Sequence, residues 1–210
     1  TGELKDRATL VAVSKTKPVE DIRALYDMGQ RDFGENYVQE MAEKAGALPK
    51  DIRWHFIGHL QGNKVKYIAS FVQLIHGVDS LKLLKEIHKQ GVKQGRVIDC
   101  LLQVHIAREE TKFGLDEAGL DELTGQLEQE PLTHARIRGL MGMASFSNDM
   151  ELVRSEFRYL AGLFRKCREA GKPFTILSMG MSGDYQVALE EGSNMVRIGS
   201  LLFGARETNG

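Results

Sequence analysis

One phrase recurs along the chain: an amphipathic stretch, then a glycine, then a short apolar run. Leu25-Tyr26-Asp27-Met28-Gly29 leads to Asp32-Phe33-Gly34, Gly95 to Val97-Ile98, Gly171 to Phe174-Thr175-Ile176-Leu177, and Gly192 to Met195-Val196-Arg197-Ile198. A glycine just past a helix can take the left-handed conformation that stops the helix and turns the chain into a strand. Pro49, Pro131 and Pro173 fall between a helical pattern and the next apolar run, where a helix cannot continue. These positions predict strands at about 9–14, 31–34, 53–57, 72–76, 97–106, 134–140, 174–177 and 195–198. Helical patterns fill the intervals at about 19–28, 37–46, 62–70, 80–92, 116–129, 149–170 and 182–191.

The longest helical pattern is explicit: Leu152, Phe157, Leu160, Leu163 and Phe164 gather on one face, and Arg154, Glu156, Arg165 and Lys166 occupy another. Strands alternating with helices through short connections imply a parallel sheet covered by helices. Eight such units favour closure into a (β/α)8 barrel of the TIM type over an open doubly wound sheet. The expectation is a single α/β domain over 1–210. Only Ser200 to Gly210 follow the last strand, too few for a full closing helix, so a barrel would want an N-terminal helix from before Thr1.

Composition narrows the partners. Lys and Arg number 28 against 29 Asp and Glu, so no positive excess points to nucleic acid or an anionic membrane surface. Cys100 and Cys167 are too far apart for a thiolate metal site or a redox pair, which fits a reducing, cytoplasmic location. No apolar run approaches the roughly 20 residues that cross a bilayer.

The candidate chemistry lies at the two ends of the chain. Leu10-Val11-Ala12-Val13 runs into Ser14-Lys15-Thr16-Lys17-Pro18, which puts a lysine at the C-terminal end of strand one. That end of a barrel strand faces the active site, and a lysine turned into the mouth needs a partner or a covalent commitment as an imine. A solvated loop lysine is the plain alternative. After strand seven comes Ser178-Met179-Gly180-Met181-Ser182-Gly183-Asp184, and strand eight runs into Gly199-Ser200. Barrels often bind phosphate with these two loops, where small residues let backbone approach an anion; ordinary connecting turns would look similar. A phosphate pocket opposite a strand-one lysine suits a phosphorylated aldehyde that the amine could capture.

Five segments carry a resemblance: Ala12-Val13-Ser14-Lys15-Thr16-Lys17-Pro18, Phe33-Gly34-Glu35-Asn36-Tyr37-Val38-Gln39-Glu40, Trp54-His55-Phe56-Ile57-Gly58-His59-Leu60-Gln61, Leu177-Ser178-Met179-Gly180-Met181-Ser182 and Val196-Arg197-Ile198-Gly199. In this order they look like the signatures of the pyridoxal phosphate homeostasis protein family, also known as proline synthase co-transcribed homologues. That family resembles the N-terminal barrel of alanine racemase. The resemblance covers essentially the whole chain. It implies pyridoxal 5'-phosphate as a Schiff base on Lys15, with Arg197 beside the pyridine nitrogen. It also implies phosphate held by Ser182, Gly199 and Ser200, Ser178 nearby, and Asn36 at the cofactor's edge.

Arg197 has a chemical meaning of its own. Pyridoxal phosphate is the strongest electron sink when its ring nitrogen is protonated, and a guanidinium donates a hydrogen bond rather than accepting that proton. Carbanion chemistry is thereby muted; a structural salt bridge is the alternative role. His59 and His76, near strand ends, could reach the mouth or be structural. His105 and His134 read as structural, Lys64 and Lys66 as decoration of an exposed helix face, and Met141 and Met143 as pocket walls or core. Lys112, in the loop after strand five, is a second candidate amine.

Three functions follow from these residues. The resemblance implies a protein that buffers, carries or regulates pyridoxal phosphate without committed turnover, with pyridoxal-phosphate-dependent apoenzymes as candidate recipients; lack of an extra dimerising domain leans toward a monomer. A racemase would need a second acid/base opposite Lys15; in alanine racemases a tyrosine comes from an additional domain. A sugar-phosphate barrel enzyme with an aldolase-type Lys15 lacks an evident acidic partner set.

Overall fold

A computed structural model describes residues 8–109 and 113–204. The strands are β1 (Thr9–Val13), β2 (Asp32–Glu35), β3 (Arg53–Phe56), β4 (Leu74–Val78), β5 (Ile98–Gln103), β6 (Ala135–Met141), β7 (Ile176–Ser178) and β8 (Met195–Ile198). They pair in chain order, all parallel, into a closed barrel, as the alternating pattern predicts. Closure is made by β1 on β8, with Thr9 opposite Met195, Val11 opposite Arg197 and Ala12 opposite Ile198. This seam decides the site, because it places the first and last strands side by side.

The outer layer comprises α1 (Val19–Asp27), α2 (Val38–Ala47), α3 (Leu81–Gln94), α4 (Glu117–Gln129), α5 (Met150–Glu169), α6 (Tyr185–Glu190) and α7 (Ser200–Phe203). Their ends show why the sequence stops and starts them there. Ser80, Asp116 and Asp149 accept from the first-turn N–H groups of Leu83, Gly119 and Leu152, and Gly95 ends α3 in the left-handed region at φ 60°. Their apolar faces, such as Leu83, Leu84 and Ile87 on α3 and Val153, Phe157 and Leu160 on α5, bury against the outside of the barrel. A separate cluster of Val11, Leu74, Leu101, Met141 and Met195 packs inside it.

Four expectations change in detail. The helix expected at 62–70 is a short 3-10 helix, Gly62–Tyr67, followed by turns. There Val65 O accepts from both Ile68 and Ala69, and Ile68 O from both Phe71 and Val72, so tight turns replace an α ladder. The helix expected at 182–191 starts only at Tyr185, because Asp184 Oδ1 accepts from Met181 N–H at 2.6 Å and holds 181–184 as a turn. Strand five ends at Gln103, and the returning chain pairs there as Leu115 N–H donates to Gln103 O at 2.8 Å. Glu156, expected on the polar face of α5, is buried at 6% exposure. Its carboxylate accepts from Ser145 N–H and Ser145 Oγ, both at 2.7 Å. Helical periodicity could not reveal that use of a charged residue.

Lys112 lies outside the described residues. Among the described residues no helix is long and apolar enough to cross a membrane, and no group of His, Cys, Asp and Glu is arranged to hold a metal ion.

Candidate functional site

The loops at the C-terminal ends of the strands enclose a cavity of about 550 Å³, a volume ordinary for a small-molecule site. Lys15 enters from the loop after β1, Asn36 after β2, Ser182 after β7, Arg197 from β8, and Gly199 and Ser200 just after it. Six of the seven candidate residues thus line one opening, although Lys15 and Ser200 are 185 positions apart in sequence. Ser178, the last residue of β7, does not line the cavity. It is fully buried beneath it, where its Oγ receives Arg197 Nη1 at 2.6 Å.

Two close backbone approaches shape the rim. A Cβ at Gly199 would stand 3.3 Å from both the Cβ and the carbonyl oxygen of Val13, so glycine lets β8 turn against β1. A Cβ at Gly58 would fall 2.4 Å from Asn36 O, so that glycine keeps the Asn36 backbone where it is. Asn36 Oδ1 is buried with no partner among the described residues. A buried amide oxygen without a donor is the type of atom that a bound polar molecule satisfies. Beside it, Gly199 N–H approaches Ser182 Oγ at 3.4 Å, and Ser200 heads α7, whose first N–H groups have no acceptor within the helix.

Lys15 is clamped from both sides by residues that sequence reading passed over. Lys44 Nζ, on α2, donates to Ser14 O at 2.7 Å, to Glu35 Oε1 at 2.7 Å and to Glu40 Oε1 at 2.6 Å. Glu35 Oε1 also receives Ser14 Oγ–H at 2.6 Å, and Glu40 Oε1 receives Thr16 N–H at 2.6 Å. The backbone on each side of Lys15 is therefore anchored to one buried ammonium–carboxylate cluster. Thr16 takes the left-handed conformation at φ 63°, uncommon for a threonine. Burial pushes the Glu35 carboxyl above its ordinary pKa, against the opposing pull of Lys44 and Ser14. The signal in the sequence is Glu35 at the end of β2 with Glu40 and Lys44 one helical turn apart on α2.

Arg197 is 3% exposed. Burial lowers its pKa to about 10, with Asp184 pulling the other way, so it remains a cation at neutral pH. Its Nη2 donates to Gly142 O at 3.2 Å. Below it lies a file of polar side chains: Ser178 Oγ is 3.1 Å from His76 Nδ1, His76 Nε2 is 2.9 Å from His55 Nδ1, and His55 Nε2 is 2.9 Å from Asp32 Oδ1. Burial above all, with the Arg197 cation nearby, holds His76 well below the ordinary histidine pKa.

His76 thus belongs to the interior. His59 stacks on Phe113 with ring centroids 4.1 Å apart, and His134 N–H donates to His88 Nδ1 at 3.1 Å; neither lines the cavity. Lys64 and Lys66 are exposed, as expected. Met143 lines the cavity, whereas Met141 packs in the inner cluster. The loop after β6 extends this wall with Ser145, Phe146, Ser147 and Asn148, which the sequence does not single out.

A family model described as alanine racemase, N-terminal domain, matches residues 2–207. A pyridoxal phosphate homeostasis protein of Aquifex aeolicus is 43% identical over 208 residues, spanning 98% of this chain and 90% of that protein. The chain belongs to the pyridoxal phosphate homeostasis protein family. Another pyridoxal phosphate homeostasis protein, from Schizosaccharomyces pombe, is 39% identical over 203 residues, covering 95% of this chain and 84% of the relative. The solved structure of PipY from Synechococcus elongatus with PLP bound matches at a TM-score of 0.88 and 36% identity, over 97% of this chain and 95% of that one. Alanine racemase of Clostridium difficile, at 16% identity and a TM-score of 0.76, shares the fold over 55% of its own length. The motif resemblance read from the sequence is borne out at the level of this homeostasis family.

Proposed function

We propose that this protein binds pyridoxal 5'-phosphate in the β1–β8 cavity, as a Schiff base on Lys15, and buffers, carries or regulates its supply without committed turnover of a substrate. One observation carries the reading: an amine from the first strand and a cation with small hydroxylated loops from the last line the same opening. The bound PLP of a homologue 36% identical over nearly the full chain supports the choice of ligand.

The roles follow from the donor set. Lys15 brings the amine that would meet an aldehyde carbon, and its flanks are fixed by Lys44 and Glu40. Ser182, Ser200 and the Gly199 backbone offer small, close donors to a phosphate. Asn36 stands at the edge, and Arg197, backed by Ser178, offers N–H donors to a ring nitrogen. When bound, the cofactor supplies an electrophilic carbon and an electron sink. Arg197 keeps that sink weak, since a guanidinium has only donors and its charge opposes a proton on the ring nitrogen.

Relatives that span nearly the whole chain are named homeostasis proteins, which supports a carrier over a two-base racemase. Cys100 and Cys167 are buried free thiols, in keeping with a reducing cytoplasm. We read the protein as a monomer that passes its cargo to apoenzymes needing it.

Borohydride reduction of the loaded protein and peptide mass mapping is expected to place a pyridoxyl group on Lys15, and Lys15→Ala to abolish the long-wavelength absorbance. An adduct confined to another lysine would overturn the assignment. Sustained deuterium exchange at the α-carbon of amino acids, abolished by Lys15→Ala, would replace the carrier reading with a racemase.

A further inference from the structure

We propose that Asp32, His55, His76 and Ser178 are positioning residues: a one-way hydrogen-bond relay across the barrel interior that holds Arg197 as an obligate donor toward the cavity. Its bearing on the cofactor rests on the reading above, in which a ring nitrogen meets Arg197; the relay itself does not.

The two ends of the file assign every proton in it. Arg197 has only donors, so Ser178 Oγ must accept from Nη1 at 2.6 Å. The serine hydrogen then needs an acceptor, and His76 Nδ1 stands 3.1 Å away. With Nδ1 accepting, a neutral His76 carries its hydrogen on Nε2 and donates to His55 Nδ1 at 2.9 Å. His55 is thereby also an Nε2–H tautomer, donating to Asp32 Oδ1 at 2.9 Å. Asp32, a carboxylate that can only accept, closes the file and also receives Arg53 Nε at 2.9 Å.

The reverse arrangement fails on chemistry. Were His55 charged, His76 would have to donate from Nδ1 to Ser178 Oγ, which already accepts from Arg197. The serine hydrogen would then lose its acceptor in a fully buried place. A charged His76 would set a second buried cation one hydroxyl away from Arg197. The direction from Arg197 to Asp32 is the one in which every interior group is satisfied.

The file also spans the barrel. Asp32, His55 and His76 come from β2, β3 and β4, whereas Ser178 and Arg197 come from β7 and β8 on the other side of the seam. Arg53, at the far end, has a side chain 49% exposed. With Nη1 tied to Ser178 and Nη2 to Gly142, the remaining guanidinium N–H groups are those left for the cavity that Arg197 lines.

Two measurements test this. In the cofactor-free protein, long-range proton–nitrogen NMR should show His55 and His76 as neutral Nε2–H tautomers at neutral pH. An imidazolium, or an Nδ1–H His76, would overturn the relay whatever the protein binds. In the second, protein loaded with pyridoxal phosphate labelled with nitrogen-15 in the ring is compared with Ser178→Ala and His76→Leu, each checked for a cooperative melt. The ring-nitrogen signal should move toward the protonated position in mildly acidic buffer in both variants, and cofactor affinity should fall roughly tenfold, the scale of one charge-assisted hydrogen bond. His76→Gln, whose amide can both accept and donate, should restore part of the shift. An unmoved signal in both folded variants would overturn the positioning role. Failure of the cofactor reading would show separately, as absence of a reduced adduct on Lys15 in the parent protein.

Discussion

At the residue scale the interior carboxylate Asp32 is the one whose charge state reports most directly on folding. Burial acts to raise its pKa, but the hydrogen bonds from His55 and Arg53 outweigh burial and leave it at about 2, below the ordinary 3.8. A carboxyl whose folded pKa is depressed contributes stability that is fully present above its unfolded value and is lost as pH falls toward the folded one. The difference is worth ~2 kcal/mol. Urea unfolding at a series of pH values from about 5 down to 2.5 should therefore show a loss of this size in the parent that is missing from Asp32→Asn. Equal acid sensitivity in the two proteins would mean that the Asp32 charge does not anchor the interior file. The same residue explains why the file escaped sequence reading. Barrel strands are buried on both faces, so a polar residue in them signals the lumen only once closure is known. Asp32 and His55 stood in the sequence only as members of strand runs, with no role of their own.

At the element scale, glycines and prolines made the α/β alternation and nearly all strand positions legible, because they terminate helices for local steric reasons. Tertiary decisions were not legible: a buried Glu156 inside a helix pattern, a 3-10 helix where apolar spacing suggested α, and the part of the cavity wall from Ser145 to Asn148 after β6. Glu156 connects the first of these to the last. From α5 it holds Ser145 by two bonds, and Ser145 Oγ in turn accepts from Arg108 N–H at 3.0 Å, tying the loops after β5 and β6 together. Glu156→Gln would set an amide NH₂ against either the Ser145 N–H or its hydroxyl, leaving a buried donor unsatisfied. The expected cost is about 1–3 kcal/mol of stability. Because the loop it holds lines the cavity, ligand affinity should fall as well, in contrast to a purely peripheral helix substitution. Matched denaturant titrations with and without pyridoxal phosphate would separate the two effects. Loss of stability with unaltered affinity would show that the wall is held by other contacts.

At the scale of the whole molecule, the site sits on the seam where the chain's two ends close the barrel, and this couples binding to global stability. β1 and β8 bring four paired residues each to the joint, and Lys15, Arg197, Gly199 and Ser200 all lie on or just beyond those two strands. A ligand held by both sides therefore fastens the seam in the folded chain and has no counterpart in the unfolded one. At a hundredfold excess over Kd, such binding adds about 2.7 kcal/mol, which for a chain of this length raises Tm by roughly 5–10 °C. Hydrogen exchange should locate the gain: added protection is expected at the amides of β1 and β8 ahead of those of β4 and β5 across the barrel. Lys15→Ala removes the fastening on the β1 side only, so it should keep part of the thermal shift through the phosphate loops while losing the extra protection of β1. If added protection instead fell evenly over all eight strands, closure at the seam would not be the weak point of the barrel, and the ligand would stabilise it only by mass action.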